Sequence, residues 1–175
     1  RLVPGFHVAE LGFGTGLNLL ALAQVAAVPV RFTSFEAFPM SVEELERAHA
    51  AFPELAPLAV QLREGWPARR FAVGHVRAEI IQADARAALP DWDGVADAWF
   101  LDGFSPAKNP ELWGQDLMTQ VARHTAPGGT FATYTAAGHV RRALAAAGFQ
   151  VLRAQGFAGK RHMSRGQLAP DLRHA

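Results

Sequence analysis

The sequence has no cysteine among its 175 residues. Without cysteine, the chain has no disulfide framework, no cysteine-ligated metal site and no thiol nucleophile. An excess of one charge is also lacking, because 17 lysines and arginines are balanced by 16 aspartates and glutamates, which leaves a net charge of +1. This charge is too small to indicate a nucleic-acid partner by itself. We expect a cytoplasmic protein without a metal site.

A run long enough to span a membrane is missing as well. The most apolar stretch, residues 17–30, is interrupted by Asn18, Gln24 and Pro29. It is shorter than the ~20 apolar residues that a membrane span requires. It also follows a glycine-rich loop rather than a basic leader, so a buried helix is the expected structure. We therefore expect no membrane partner.

Length and composition suit one compact domain. Half of the residues are apolar and 19% are charged, which is typical of a globular protein. We interpret residues 1–175 as a single domain. Because the chain begins with Arg1 rather than methionine, we expect an N-terminal segment to be missing from it.

Short apolar segments alternate with helix-like segments along the chain. This alternation predicts an α/β fold with a mostly parallel sheet that has helices on both faces. A turn is expected at Pro127-Gly128-Gly129, and the polar residues after Met163 read as an unfinished tail. The predicted strands are 6–11, 30–35, 76–83, 96–101, 130–135 and 150–157, and the predicted helices are 17–27, 41–52, 58–64, 112–124 and 140–147.

A glycine loop follows the first predicted strand. Gly12, Gly14 and Gly16 allow a sharp turn and a close approach of a ligand to the backbone. A dinucleotide-binding loop would need a small residue where Leu17 stands. The observed spacing, with Glu10 before it, is instead similar to the first motif of S-adenosyl-L-methionine (SAM) methyltransferases, in which the loop lies beside the amino-acid part of the cofactor.

Acids follow the next two predicted strands. Glu36 lies 20 residues after Gly16, at the place where nucleotide-binding folds put a carboxylate on the ribose hydroxyls. A solvated turn residue is the weaker alternative for it. Asp84 can accept a hydrogen bond from the adenine amino group, or it can cap the short helix that follows. Both roles of Asp84 are compatible.

The stretch "WFLDGFSPAKNPELW", residues 99–113, contains the candidate catalytic residue at the end of the fourth predicted strand. Asp102 ends that strand, where a carboxylate can orient a substrate amine and accept its proton. The alternative is that Asp102 and Gly103 only form the turn that ends the strand. The aromatic side chains of Phe104 and Trp113 are candidate apolar walls, although helix packing explains Trp113 equally well. Lys108 is a candidate phosphate contact, or it pairs with a nearby acid.

Five segments together resemble the methyltransferase domain of the MnmC family of bacterial enzymes that modify the wobble uridine of tRNA. They are "AELGFGTGLN", "FTSFEAFP", "DAWFLDGFSPAKNPELW", "TYTAAGHVRRALAAAGF" and "GFAGKRHM". The resemblance implies a Rossmann-like domain that uses SAM to methylate the amine of 5-aminomethyl-2-thiouridine in tRNA. It also implies a partnership with an FAD-dependent oxidase domain, in cis or in trans, that produces this amine.

The residue patterns and the resemblance together predict three groups of site residues. Asp102 maps to the methyl-transfer site. The cofactor contacts are Glu10, Gly12, Gly14, Gly16, Glu36 and Asp84. The candidate contacts to the tRNA substrate are Phe104, Lys108, Asn109, Trp113, Lys160 and Arg161.

Other functions stay open on the sequence alone. A SAM methyltransferase of a small molecule would have the same fold. A nucleotide-binding oxidoreductase, or a non-catalytic module, would bind a different cofactor or none, although Leu17 in the third-glycine place speaks against NAD. An inactive fragment of a larger enzyme is a further alternative.

Overall fold

The structure is a computed structural model that describes residues 1–103, 110–156 and 161–170. The chain divides into two compact units, Arg1–Asp84 and Ala85–Ala175, which are called unit 1 and unit 2 below.

Four strands form the sheet portion of unit 1. They are β1 (His7–Leu11), β2 (Val30–Phe35), β3 (Arg70–Val73) and β4 (Val76–Ile81), in the spatial order β3-β4-β2-β1. The pairs β1/β2 and β2/β4 are parallel, and β3/β4 is an antiparallel hairpin. All five residues of β1 are buried, which is typical of a parallel strand covered on both sides.

Three α-helices belong to unit 1: α1 (Leu17–Val25), α2 (Val42–His49) and α3 (Ala56–Gly65). The predicted capping box begins α2. The backbone N–H of Glu44 donates to the Ser41 hydroxyl at 3.1 Å, and the Ser41 N–H donates to the Glu44 carboxylate at 2.7 Å. Two donors that a helix start leaves unpaired are satisfied in this way.

The strands of unit 2 are β5 (Ala96–Leu101), β6 (Thr125–Thr133), β7 (Phe149–Gln155) and β8 (His162–Leu168), and its helices are α4 (Ala85–Ala88), α5 (Gln115–Arg123) and α6 (Gly138–Ala146). The strands lie in the spatial order β5-β6-β8-β7. The pair β5/β6 is parallel, whereas β6/β8 and β7/β8 are antiparallel. Helices α5 and α6 pack against each other, and α6 also contacts β7.

The prediction of an α/β fold with a mostly parallel sheet is confirmed, and strands β2 and β5 have the predicted bounds. The predicted turn at Pro127-Gly128-Gly129 lies inside β6. There the register with β5 shifts, because Ala96 pairs with Thr125 while Ala98 pairs with Thr130. Gly128 has a φ of +73°, so the chain does bend here, and it resumes the same strand afterwards.

Two strands were absent from the sequence prediction. The short strand β3 forms a hairpin with β4. The first part of the polar stretch after Met163, expected as an unfinished tail, belongs to strand β8, which ends at Leu168 and lies between β6 and β7. Residues 171–175 of that stretch lie outside the described residues. The expectation of a tail was wrong because β8 carries small residues where it is covered, with Ser164 fully buried, and polar residues such as Arg165 where it is exposed.

Within the described ranges, no helix is long and apolar enough to cross a membrane. The same residues include no group of three or more histidine, aspartate or glutamate side chains that could hold a metal ion.

Candidate functional site

The glycine loop, defined as residues 12–16, connects the end of β1 to the start of α1 in unit 1. Gly12, Gly14 and Gly16 have φ values of +82°, +56° and +77°. These left-handed conformations favour glycine because other residues clash there. The Gly12 N–H donates to the Phe35 carbonyl at 2.9 Å, which ties the loop to the end of β2.

Gly14 and Gly16 have different surroundings. A side chain at Gly14 would meet no atom within 4 Å, whereas a Cβ at Gly16 would lie 2.6 Å from Phe13 and 2.8 Å from Leu62. Gly16 is therefore required by packing inside unit 1. Gly14 borders open space, where a ligand can approach the backbone.

Glu10 lies beneath the loop as a buried carboxylate with an exposed fraction of 1%. Its Oε1 accepts a hydrogen bond from the Ser34 hydroxyl at 2.8 Å, and its Oε2 accepts one from the Asn18 side-chain amide at 2.9 Å. These partners come from β2 and α1, so the carboxylate joins three elements. A buried negative charge is costly unless it is hydrogen-bonded or meets a cation.

Glu36 is bonded to the glycine loop. Its Oε1 accepts from the Gly14 N–H at 3.0 Å, and its Oε2 accepts from the Phe38 N–H at 3.1 Å. Only 7% of Glu36 is exposed, which argues against the solvated-turn alternative. No local pattern in the sequence indicates that this carboxylate also orients the tip of the loop.

A histidine that was not among the predicted site residues also supports the loop. His49 of α2 is buried and lies 2.7 Å, through Nε2, from the Thr15 carbonyl. Its Nδ1 lies 2.9 Å from Nη1 of Arg63 in α3. Because arginine only donates and a carbonyl only accepts, Nδ1 is the acceptor and Nε2 carries the proton. Thr15 and His49 are 34 residues apart, so no local pattern could have revealed the pair.

Asp84 follows β4 and directly precedes α4. Its side chain is half-buried. This location agrees with both roles expected from the sequence, a ligand contact and a helix cap.

The candidate catalytic acid belongs to unit 2. Asp102 follows the last residue of β5 and is half-buried. Beside it, the hydroxyl of Tyr134 donates to the Gly103 carbonyl at 2.8 Å. Trp113 meets the Tyr134 ring edge-on, with centroids 6.4 Å apart. These four residues are called the Asp102 group below.

Burial and charge both act on Tyr134. Burial raises the pKa of its hydroxyl above the usual value of 10.0, and the negative charge of Asp102 raises that pKa further. The hydroxyl therefore stays protonated at neutral pH and remains a hydrogen-bond donor. Trp113 is only 3% exposed, which favours packing over base stacking for this side chain.

The other predicted substrate contacts are divided by the described ranges. Arg161 lies just before β8 and is exposed. The rest lie outside the described residues: Phe104, Lys108, Asn109 and Lys160.

Residues 49–169 match the family described as S-adenosyl-L-methionine-dependent methyltransferase. This match covers more than half of the chain.

Curated relatives extend the similarity over nearly all of the chain. A protein of Chromobacterium violaceum is 45% identical over 95% of the chain, and one of Ectopseudomonas mendocina is 46% identical over 100% of it. Both are named tRNA 5-methylaminomethyl-2-thiouridine biosynthesis bifunctional protein MnmC. The chain spans only about a quarter of their length, 27% and 28% respectively.

Solved structures agree on the fold. The crystal structure of MNMC2 from Aquifex aeolicus has a TM-score of 0.69 and 26% identity, and the match covers 96% of this chain and 55% of that one. TrmN from Thermus thermophilus has a TM-score of 0.58 with 21% identity, covering 95% of this chain and 44% of that one.

Proposed function

Because the chain belongs to the S-adenosyl-L-methionine-dependent methyltransferases, we propose that it methylates the side-chain amine of 5-aminomethyl-2-thiouridine at the wobble position of tRNA. The observation that carries this substrate assignment is the 45% identity, over 95% of the chain, to a protein named for the biosynthesis of 5-methylaminomethyl-2-thiouridine in tRNA. The family membership removes the oxidoreductase alternative.

The residues of unit 1 fit the cofactor of the family. SAM supplies a methyl group on a sulfonium, and its methionine end carries an ammonium. Open space above Gly14 accommodates a ligand against the loop, and the buried carboxylate of Glu10 favours a cationic group nearby. Glu36 supports the ribose role, because each carboxylate oxygen has a second lone pair beyond the bonds to Gly14 and Phe38.

Asp102 supports the transfer to an amine. An aliphatic amine has a pKa near ~10, like lysine, and is mostly protonated at neutral pH. Only the neutral form has a lone pair for attack on a methyl group. We propose that the Asp102 carboxylate orients the substrate ammonium and accepts the proton that it must lose.

The surroundings of Asp102 are suited to this task. Tyr134 and the buried Trp113 form an aromatic wall beside it. A carboxylate alone would stabilise the ammonium, whereas apolar walls disfavour the charged form. The two effects together allow the amine to bind and then to lose its proton.

We propose three further properties, which concern the domain, the location of the enzyme and the source of its substrate. Units 1 and 2 are halves of one methyltransferase domain. A tRNA substrate implies that the enzyme acts in the cytoplasm. An FAD-dependent oxidase domain, in cis or in trans, supplies the amine.

The test is mass spectrometry of tRNA nucleosides. The substrate is tRNA that carries free 5-aminomethyl-2-thiouridine, incubated with SAM and the protein. We expect this nucleoside to be replaced by a species that is heavier by one methyl group, and Asp102→Asn to leave it unchanged on the same timescale. If the methyl group of SAM is transferred to a small-molecule amine while the tRNA stays unmodified, the substrate assignment is wrong.

A further inference from the structure

The near-neutral net charge conceals a strong segregation of charge along the chain. Residues 117–170 contain seven lysines and arginines and no aspartate or glutamate. Residues 1–116 contain nine lysines and arginines against fifteen aspartates and glutamates. The acid-free segment begins within α5 and runs through β6, α6, β7 and β8. A long segment of unit 2 that carries cations and no acid is suited to a polyanionic partner.

The strand register brings several of these cations to the same edge of the sheet as Asp102. Phe100 pairs with Ala132 in the parallel pair β5/β6, so Asp102 and Tyr134 follow at the same level. On the far side, Thr133 pairs with Ser164, and Ser164 pairs with Arg153. Arg153 therefore lies at the level of Thr133, one residue before the level of Tyr134 and Asp102. It is three strands away from Asp102, which is about 14 Å at ~4.8 Å per strand.

Two more arginines lie at this edge. Strand β8 begins there because it runs antiparallel to β6, and Arg161 directly precedes it. Helix α6 also begins there, because it follows the carboxyl end of β6. The Arg142 guanidinium folds back over the first residue of α6, where a Cβ on Gly138 would lie 2.9 Å from Nη1.

Arg142, Arg153 and Arg161, called the arginine rim, are all exposed. Among the described residues, no member of the rim takes part in an ion pair. Guanidinium groups that are exposed and unneutralised bind phosphate well, because their planar donors match two phosphate oxygens.

We propose that the arginine rim docks the phosphate backbone of the tRNA next to its modified uridine. This inference rests on the proposed function, and it assigns the RNA to the edge of unit 2 that carries Asp102. Charge complementarity favours RNA over a protein partner, since the whole segment from residue 117 to residue 170 lacks an acid. The rim would hold phosphates while the uridine side chain reaches the carboxylate.

Neutralising two members of the rim tests the proposal. The double variant Arg153→Gln/Arg161→Gln should bind tRNA roughly tenfold more weakly at physiological salt. Its plot of log affinity against log salt should be shallower by roughly 1.4, at about 0.7 for each lost phosphate contact to single-stranded RNA. Affinity for SAM, measured by calorimetry, should not change.

Arg123→Gln is the matched control. Arg123 is exposed and lies in the same acid-free segment, but it ends α5 and so lies at the opposite edge, where β6 begins. This variant should bind tRNA like the unchanged protein. An equal loss in Arg123→Gln, or unchanged tRNA affinity and salt slope in the double variant, would overturn the proposal.

A change of oligomeric state in the double variant, with tRNA affinity retained, would assign the rim to a second copy of the chain and would also overturn it. Direct binding separates this proposal from the proposed function. Suppose that the unchanged protein binds tRNA but transfers no methyl group to it, and that the rim variants bind tRNA more weakly. The proposed function is then wrong, and the docking surface stands. If the double variant binds and methylates tRNA normally, the function stands and the docking surface is wrong.

Discussion

The glycine loop of unit 1 and the Asp102 group of unit 2 are built differently. The loop is held by bonds from three sides: the Glu36 carboxylate binds the Gly14 N–H, His49 donates to the Thr15 carbonyl, and Gly12 donates to β2. In the Asp102 group, Tyr134 donates to the Gly103 carbonyl, while Asp102 itself is half-buried.

This difference reflects the two ligands. A small cofactor of constant shape is best served by a loop whose backbone is fixed in advance by neighbouring side chains. A large substrate needs an acid that it can reach from outside, at the end of a strand. The predictions below test whether binding and chemistry are divided between the two regions in this way.

The largest effect is expected for Asp102→Asn. This change keeps the size of the side chain and removes its charge, so no carboxylate remains to accept the amine proton. The methylation rate should fall by roughly 10²–10⁴, the usual contribution of a positioned acid–base group. Affinity for SAM should change little. Stopped assays with the modified tRNA and calorimetry with SAM measure the two quantities.

Loss of SAM affinity in Asp102→Asn would break the comparison, because Asp102 would then belong to the cofactor region. If Asp102→Asn transfers the methyl group at the parental rate at every pH, the Asp102 carboxylate only forms a turn and has no role in catalysis.

A second, smaller effect is expected for Gly14→Val. Valine would fill the open space above the loop and should weaken SAM binding about 5- to 150-fold, which corresponds to about 1–3 kcal/mol of overpacking. Gly5→Val is the matched control, since Gly5 also has a positive φ and no atom within 4 Å of its Cβ position. Both variants carry similar backbone strain, so equal SAM affinities in calorimetry would remove Gly14 from the site.

The third prediction concerns the support behind the loop. His49→Ala removes a buried side chain and leaves the carbonyl of the half-buried Thr15 without its donor. The free energy of unfolding should fall by about 1–3 kcal/mol. His49→Gln should recover much of this loss, because the amide can donate to Thr15 and accept from Arg63. Urea denaturation and SAM titration of both variants provide the measurements. If both variants bind SAM as tightly as the unchanged protein, His49 stabilises the fold without positioning the loop.

The smallest effect concerns Tyr134, the single tyrosine of the chain. Asp102→Asn removes the negative charge that disfavours tyrosinate, so the pKa of Tyr134 should fall. Burial persists in the variant, and the pKa should stay above 10.0. Titration at alkaline pH, followed by ultraviolet absorbance, measures the pKa of this single hydroxyl. Asp116→Asn is the control, and a shift of equal size there would contradict the link between Tyr134 and Asp102.

The sequence was sufficient for features that depend on local patterns. The apolar runs of β2 and β5 predicted their bounds, and Ser41 with Glu44 predicted the start of α2. The three loop glycines do adopt left-handed conformations. In each of these features the deciding residues are neighbours in the chain.

Features that depend on distant residues could not be predicted. The bond from His49 to Thr15 and the partner of Tyr134 join residues that are 34 and 31 positions apart. Strand β8 was missed because its polar face resembles a loop until β6 and β7 are known to flank it. Net charge misled as well, since the acids of residues 1–116 cancel the cations of residues 117–170.

The position of β8 also affects how the chain folds as it is synthesised. β7 leaves the ribosome before β8, but in the folded unit β8 lies between it and β6. Until residues 162–168 emerge, β7 has no strand to join and the edge of β6 stays open to other chains. A nascent chain halted after Gly156 should therefore remain protease-sensitive in unit 2 and depend on chaperones, whereas one halted after Ala169 should be resistant once released. Equal resistance of the two would show that β7 finds another partner during translation.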